Sequence, residues 1–114
     1  KGLFIMSKNQ GYSKYRNQKT VIDGIKFDSK KEADRFCELK LLERAKEISN
    51  LRLQVPYILF PKNQYGRVVK YIADFVYTEN GKEVVEDCKG MKTDVYKLKK
   101  RIMAEKYDII IRES

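Results

Sequence analysis

Between Leu51 and Leu59 every second residue is apolar: Leu51, Leu53, Val55, Tyr57 and Leu59. A period of two is the signature of a strand with one buried face. Pro56 interrupts it without an amide hydrogen to give, which places the strand at a sheet edge or at an irregularity. Beyond a turn-rich stretch from Pro61 to Gly66, residues 68–77 and 82–89 read as two further strands around Asn80-Gly81. Asn-Gly and Asp-Gly between apolar runs are strong hairpin signals, and Asp23-Gly24 joins residues 20–22 to 25–27 in the same way. Ser29-Lys30-Lys31-Glu32 matches a capping box at the start of a helix that runs to Ala45 or Lys46. Ala33, Phe36, Cys37, Leu41 and Ala45 form its apolar stripe, widened by Leu39 and Leu42. Thr93 caps a second helix over residues 94–106, with Val95, Leu98 and Ile102 at helical spacing. Residues 107–111 read as a short final strand.

This order is hairpin, helix, three strands, helix, strand. It predicts an α/β sandwich with a mixed sheet whose last strand, reached through a helix, pairs in parallel. Residues 1–18 lack periodicity and read as a flexible basic arm, either a plain terminus or a DNA contact. Residues 19–114 form one domain, with no repeat or linker. Met6-Ser7-Lys8 reads as a natural start, which would make the five residues before it an addition.

Charge sharpens the picture. Of 114 residues, 36% are charged and the formal net charge is +9. That excess points to a polyanionic partner, most simply nucleic acid, with a plain basic soluble protein as the alternative. There is no histidine, which excludes His-based triads and His-ligated zinc. Cys37 and Cys88 form no CxxC pair, so a structural zinc site is not expected and a reducing, intracellular setting is. No apolar run approaches the roughly 20 residues of a membrane span, and the first residues lack a signal-peptide core.

The chemistry concentrates in Tyr71-Ile72-Ala73-Asp74-Phe75 and Val84-Val85-Glu86-Asp87-Cys88-Lys89-Gly90. Alternation puts Asp87 and Lys89 on one face of their strand, and Glu86 and Cys88 on the other. Pairing through Asn80-Gly81 brings Asp74 alongside Asp87. Two carboxylates and a lysine on one face suit a Mg²⁺ ion over a phosphate. Asp74 in a salt bridge with Lys89, or Glu86 in place of Asp87, are the alternatives.

With Asp23-Gly24-Ile25-Lys26-Phe27-Asp28-Ser29-Lys30-Lys31-Glu32-Ala33 and Leu51-Arg52-Leu53-Gln54, these segments resemble the PD-(D/E)xK nuclease superfamily. Within it they resemble small phage-encoded Holliday junction resolvase-like, or recombination, endonucleases. The resemblance runs from about residue 19 to the end. Ala73 stands where the motif's name has proline. The resemblance implies a restriction-endonuclease-like core, hairpin-α-β-β-β-α-β, and metal-dependent hydrolysis of DNA phosphodiesters. It makes Asp74, Asp87 and the Cys88 carbonyl metal ligands, and has Lys89 position the attacking water. Glu32 completes the metal shell, unless it serves only the capping box. Mg²⁺ is the implied cofactor, with Mn²⁺ as a substitute, and a phage protein in the host cytoplasm is implied.

Gln54 lies on the strand before Asp74, where the family places a polar residue near the site; an ordinary surface glutamine is the alternative. Lys92, Lys97, Lys99, Lys100 and Arg101 crowd the second helix. The overall charge and the neighbouring acidic site point them at DNA phosphates; a solvated helix face is the alternative. The expected partners are branched or duplex DNA and, because a four-way junction needs two symmetric cuts, a second copy of the chain. A nicking or mismatch endonuclease, a catalytically silent DNA-binding module and a metal-independent RNA-binding protein are the other readings.

Overall fold

Asp23 and Gly24 both have left-handed backbones, φ 53° and 80°. A two-residue I′ turn requires that at both positions, and the Asp-Gly pair supplies it. They join β2 (Thr20–Ile22) to β3 (Ile25–Phe27), with Thr20 opposite Phe27. The computed structural model that shows this describes residues 4–5, 20–88 and 92–114. The chain forms two compact units, Lys1–Leu41 and Leu42–Ser114.

In the first unit a two-residue strand, β1 (Phe4–Ile5), lies against β2, with Phe4 opposite Val21. It falls within the stretch expected to be an arm without secondary structure. The rest of that stretch, apart from residues 4 and 5, lies outside the described residues. Helix α1 (Lys30–Arg44) follows. The Ser29 hydroxyl accepts the Glu32 amide at 3.1 Å, which is the forward half of the capping box. The Phe27 and Phe36 rings meet at 5.1 Å. Ala33, Phe36 and Leu39 are buried, but Cys37 and Ala45 are exposed and Leu41 is 61% exposed. The expected stripe is thus one residue out of phase over its second half. Several apolar residues crowd this helix, and spacing alone does not choose among neighbouring stripes 100° apart.

The second unit holds a four-stranded sheet in the order β4 (Ser49–Phe60), β5 (Val69–Glu79), β6 (Lys82–Asp87), β7 (Arg112–Glu113). The first three strands are antiparallel, and β7 runs parallel to β6. The sheet is mixed, as expected. Asn80 and Gly81, φ 53° and 78°, form the second tight turn. β4 is an edge strand, which tolerates Pro56. Between β6 and β7 the chain forms α2 (Asp94–Tyr107), where Thr93 accepts the Tyr96 amide at 3.1 Å.

Two expectations need correcting here. The final strand is not residues 107–111. Helix α2 extends through Tyr107, Asp108 closes it in a left-handed conformation (φ 58°), and only Arg112 and Glu113 join the sheet. The isoleucine run instead packs Ile111 into the core and leaves Ile110 exposed. Nor do Val95 and Leu98 face inward; they are 62% and 58% exposed. The inward residues are Tyr96 and Met103, with Ile102 partly buried. They pack with Leu59, Tyr71, Ala73, Val76, Val85 and Ile111. Tyrosine wins the inward position because its ring covers sheet while its hydroxyl finds a partner. Among the described residues no helix is long and apolar enough to cross a membrane.

Candidate active site

β5 and β6 pair with Phe75 opposite Glu86. One further step in that register places Asp74 beside Asp87, where the two strands part. The junction is held by side chains: the Cys88 amide donates to Asp74 Oδ2 at 2.9 Å, and Gln54 Nε2 reaches Asp74 Oδ1 at 3.5 Å. Gln54 itself has a left-handed backbone, φ 53°, within β4. Asp74 is half-buried, and Asp87 is fully buried. The Tyr71 hydroxyl donates to Asp87 Oδ2 at 2.5 Å. Glu86, the alternative to Asp87, is also fully buried, and accepts the Tyr77 hydroxyl at 2.6 Å. Arg112 in turn donates to the Tyr77 oxygen at 3.0 Å and pairs with Glu79 at 3.1 Å.

A third pair completes a pattern. The Tyr96 hydroxyl donates to Glu113 Oε2 at 2.8 Å. Glu113 stands opposite Asp87 in the parallel register of β6 and β7. Burial pushes the phenols of Tyr71, Tyr77 and Tyr96 above their ordinary range, and the hydrogen bond to the neighbouring carboxylate pushes the same way. All three therefore stay protonated donors at working pH. The charges of Asp87 and Asp74 both act on Tyr71 and on Tyr96, so one electrostatic neighbourhood contains all four groups. The Tyr96 and Lys100 hydrogen bonds hold the Glu113 carboxyl down at about 2.

The lysines of α2 separate into distinct settings. Lys100 and Lys92 pair with Glu113 at 3.0 and 3.4 Å. Lys97 and Lys100 line a cavity of about 260 Å³ with Arg101, Ile110 and Ile111. Lys99 lines another of about 270 Å³ with Lys70, Tyr71 and Tyr96. Glu32 belongs to the first unit, where it is buried in the first turn of α1. Lys89, with Gly90 and Met91, lies outside the described residues.

Mg²⁺ typically takes one or two carboxylates and fills its octahedron with water and substrate phosphate. Asp74 and Asp87 are a donor set of that kind, all oxygen and side by side. Among the described residues no group of three or more histidine, cysteine, aspartate or glutamate residues converges to hold a metal.

Tyr71, Tyr96, Glu113 and Lys70 were not evident as site residues. Tyr71 and Tyr96 had one usable signal: a tyrosine at an inward strand or helix position needs a partner for its hydroxyl. Glu113 had none, because its place depends on a two-residue parallel pairing.

No curated protein and no solved structure significantly matches the chain. Residues 12–112 match the family described as "Protein of unknown function (DUF1064)", and the chain belongs to that family.

Proposed function

We propose that this protein is a Mg²⁺-dependent, structure-selective DNA endonuclease of the PD-(D/E)xK type, acting as a Holliday junction resolvase. The observation that carries the reading is the adjacency of Asp74 and Asp87 where β5 and β6 part, with the chain just after Asp87 tied to Asp74 through the Cys88 amide. The mixed α/β fold and the net charge of +9 are compatible with it.

In this reading Asp74, Asp87 and the Cys88 carbonyl would hold the metal. Mg²⁺ bound there supplies charge stabilisation at the phosphate and acidifies a bound water. Tyr71 fixes the orientation of Asp87 by donating to it, and Gln54 and the Cys88 amide do the same for Asp74. Such outer partners hold ligands in productive geometry. Lys89 positions the attacking water and offsets charge at the phosphate. The α2 lysines hold flanking phosphates, which gives affinity without reading sequence. Two copies deliver the two symmetric cuts.

The test is cleavage of labelled four-way junction, flap, mismatched and linear duplex DNA with Mg²⁺ or Mn²⁺, beside Asp74→Ala and Lys89→Ala. Paired symmetric cuts in the junction, lost in both variants, are the expected result. Equal cutting of all substrates keeps the nuclease and rejects junction selectivity. Cuts in one strand only favour a nicking enzyme. Tight binding without cutting by the wild type favours a DNA-binding module.

A further inference from the structure

The surface beside the acid pair is grooved. Lys70, Tyr71 and Ile72 of β5 face Val95, Tyr96 and Lys99 of α2 across the cleft of about 270 Å³. Its two tyrosines are buried, with their hydroxyls given to Asp87 and Glu113, so they shape the floor and offer no donor to a ligand. The groups it presents are two ammonium groups, Lys70 and Lys99, the Thr93 hydroxyl, whose oxygen already accepts the Tyr96 amide, and two apolar side chains, Ile72 and Val95, 44% and 62% exposed. Among the described residues neither Lys70 nor Lys99 has an ion-pair partner, whereas Lys92 and Lys100 are both paired with Glu113.

A small inorganic anion would use the lysines and leave the apolar lip idle. A sugar–phosphate chain uses both, with phosphate on the ammonium groups and sugar carbons on Ile72 and Val95. We propose that this cleft seats the backbone of one DNA strand next to the acid pair, with Lys70 and Lys99 as its phosphate contacts. The choice of DNA rests on the nuclease reading. The contacts are sequence-independent; they fix where the strand enters relative to Asp74 and Asp87.

Fluorescence anisotropy of labelled junction and linear duplex, with EDTA to prevent cutting and over a salt series, tests this. The Lys70→Gln/Lys99→Gln variant is compared with Lys46→Gln/Lys82→Gln. The control removes the same charge near the other end of β5, where Ser49 pairs with Thr78 and Glu79 with Lys82. Each phosphate contact contributes about 0.9 to the slope of log K against log salt. The cleft variant is expected to reduce the slope by nearly two, and the control by less than half as much.

Val95→Asp provides a second line. It places a carboxylate in the first turn of α2, where the helix dipole favours it, so the melting temperature holds or rises. DNA affinity is expected to fall about tenfold by repulsion in the cleft. Equal slopes for cleft and control variants, wild-type affinity for Val95→Asp, or no DNA binding by the wild type would each overturn the proposal. Cutting by the wild type with the cleft slope unchanged leaves the nuclease standing and removes the cleft. A cleft-dependent slope without any cutting does the reverse.

Discussion

At the scale of single residues, the second unit is organised by tyrosines that donate to acids. Tyr71 holds Asp87, Tyr77 holds Glu86 and Tyr96 holds Glu113. A carboxylate sealed from water is costly unless hydrogen-bonded. Removing its donor should therefore cost more than replacing the acid. Tyr71→Phe is expected to destabilise by about 1.5–3 kcal/mol, the usual worth of a hydrogen bond to a charged group. Asp87→Asn alone is expected to hold or raise the metal-free melting temperature by a few degrees, about 1 kcal/mol, while abolishing cutting. In the Tyr71→Phe background it should recover part of the loss; thermal melts of the four proteins give the coupling directly. A strictly additive cycle would show that the pair does not interact. Glu113 sets a pH prediction. Its folded pKa of about 2 lies below the ordinary 4.5, so its stabilisation is complete above about pH 4.5 and is lost as pH falls towards 2. The melting-temperature gap between wild type and Glu113→Gln should be widest at neutral pH and close on acidification.

At the scale of elements, turn chemistry and alternation were legible. Asp23-Gly24 and Asn80-Gly81 form the hairpins that their residue types demand, and β4 alternates as its apolar positions indicate. Helix rotation and the final strand were not. Leu41, Val95 and Leu98 satisfy helical spacing yet face solvent, because spacing fixes a period and only packing fixes the phase. The irregularity at Gln54 was equally hidden, although Pro56 pointed to that strand. A left-handed backbone costs a non-glycine residue roughly 1–2 kcal/mol. Gln54→Gly is accordingly expected to raise stability by up to about 1 kcal/mol, offset in part by glycine's greater unfolded entropy. Gln54→Val should lower it, since a β-branched residue tolerates that conformation worst. Chemical denaturation of both variants checks the order; the reverse order would mean the strand relaxes around position 54.

At the scale of the whole molecule, the net charge of +9 and the acid pair pull in different directions. In the proposed function the lysines draw in a polyanion, and the carboxylates need a cation between themselves and its phosphates. The proposed resolvase also requires two copies. Sedimentation equilibrium is expected to show a dimer at the concentrations used for cleavage. A monomer that still cuts would move the activity to single-strand nicking.

Local pattern alone was enough for the two hairpin turns, the capped helices and the mixed sheet. All of these follow from local φ preferences, from the period of two and from the length of a tight turn. Only packing settled which face of each helix is buried, that three tyrosines serve three carboxylates, and that Glu113 pairs with both Lys92 and Lys100. It also decided that Lys70 and Lys99 share a cleft. These depend on contacts between residues far apart in the chain: Tyr71 and Asp87 are 16 apart, and Arg112 and Tyr77 are 35 apart. No local pattern encodes such pairings, because they exist only once the strands and α2 have packed.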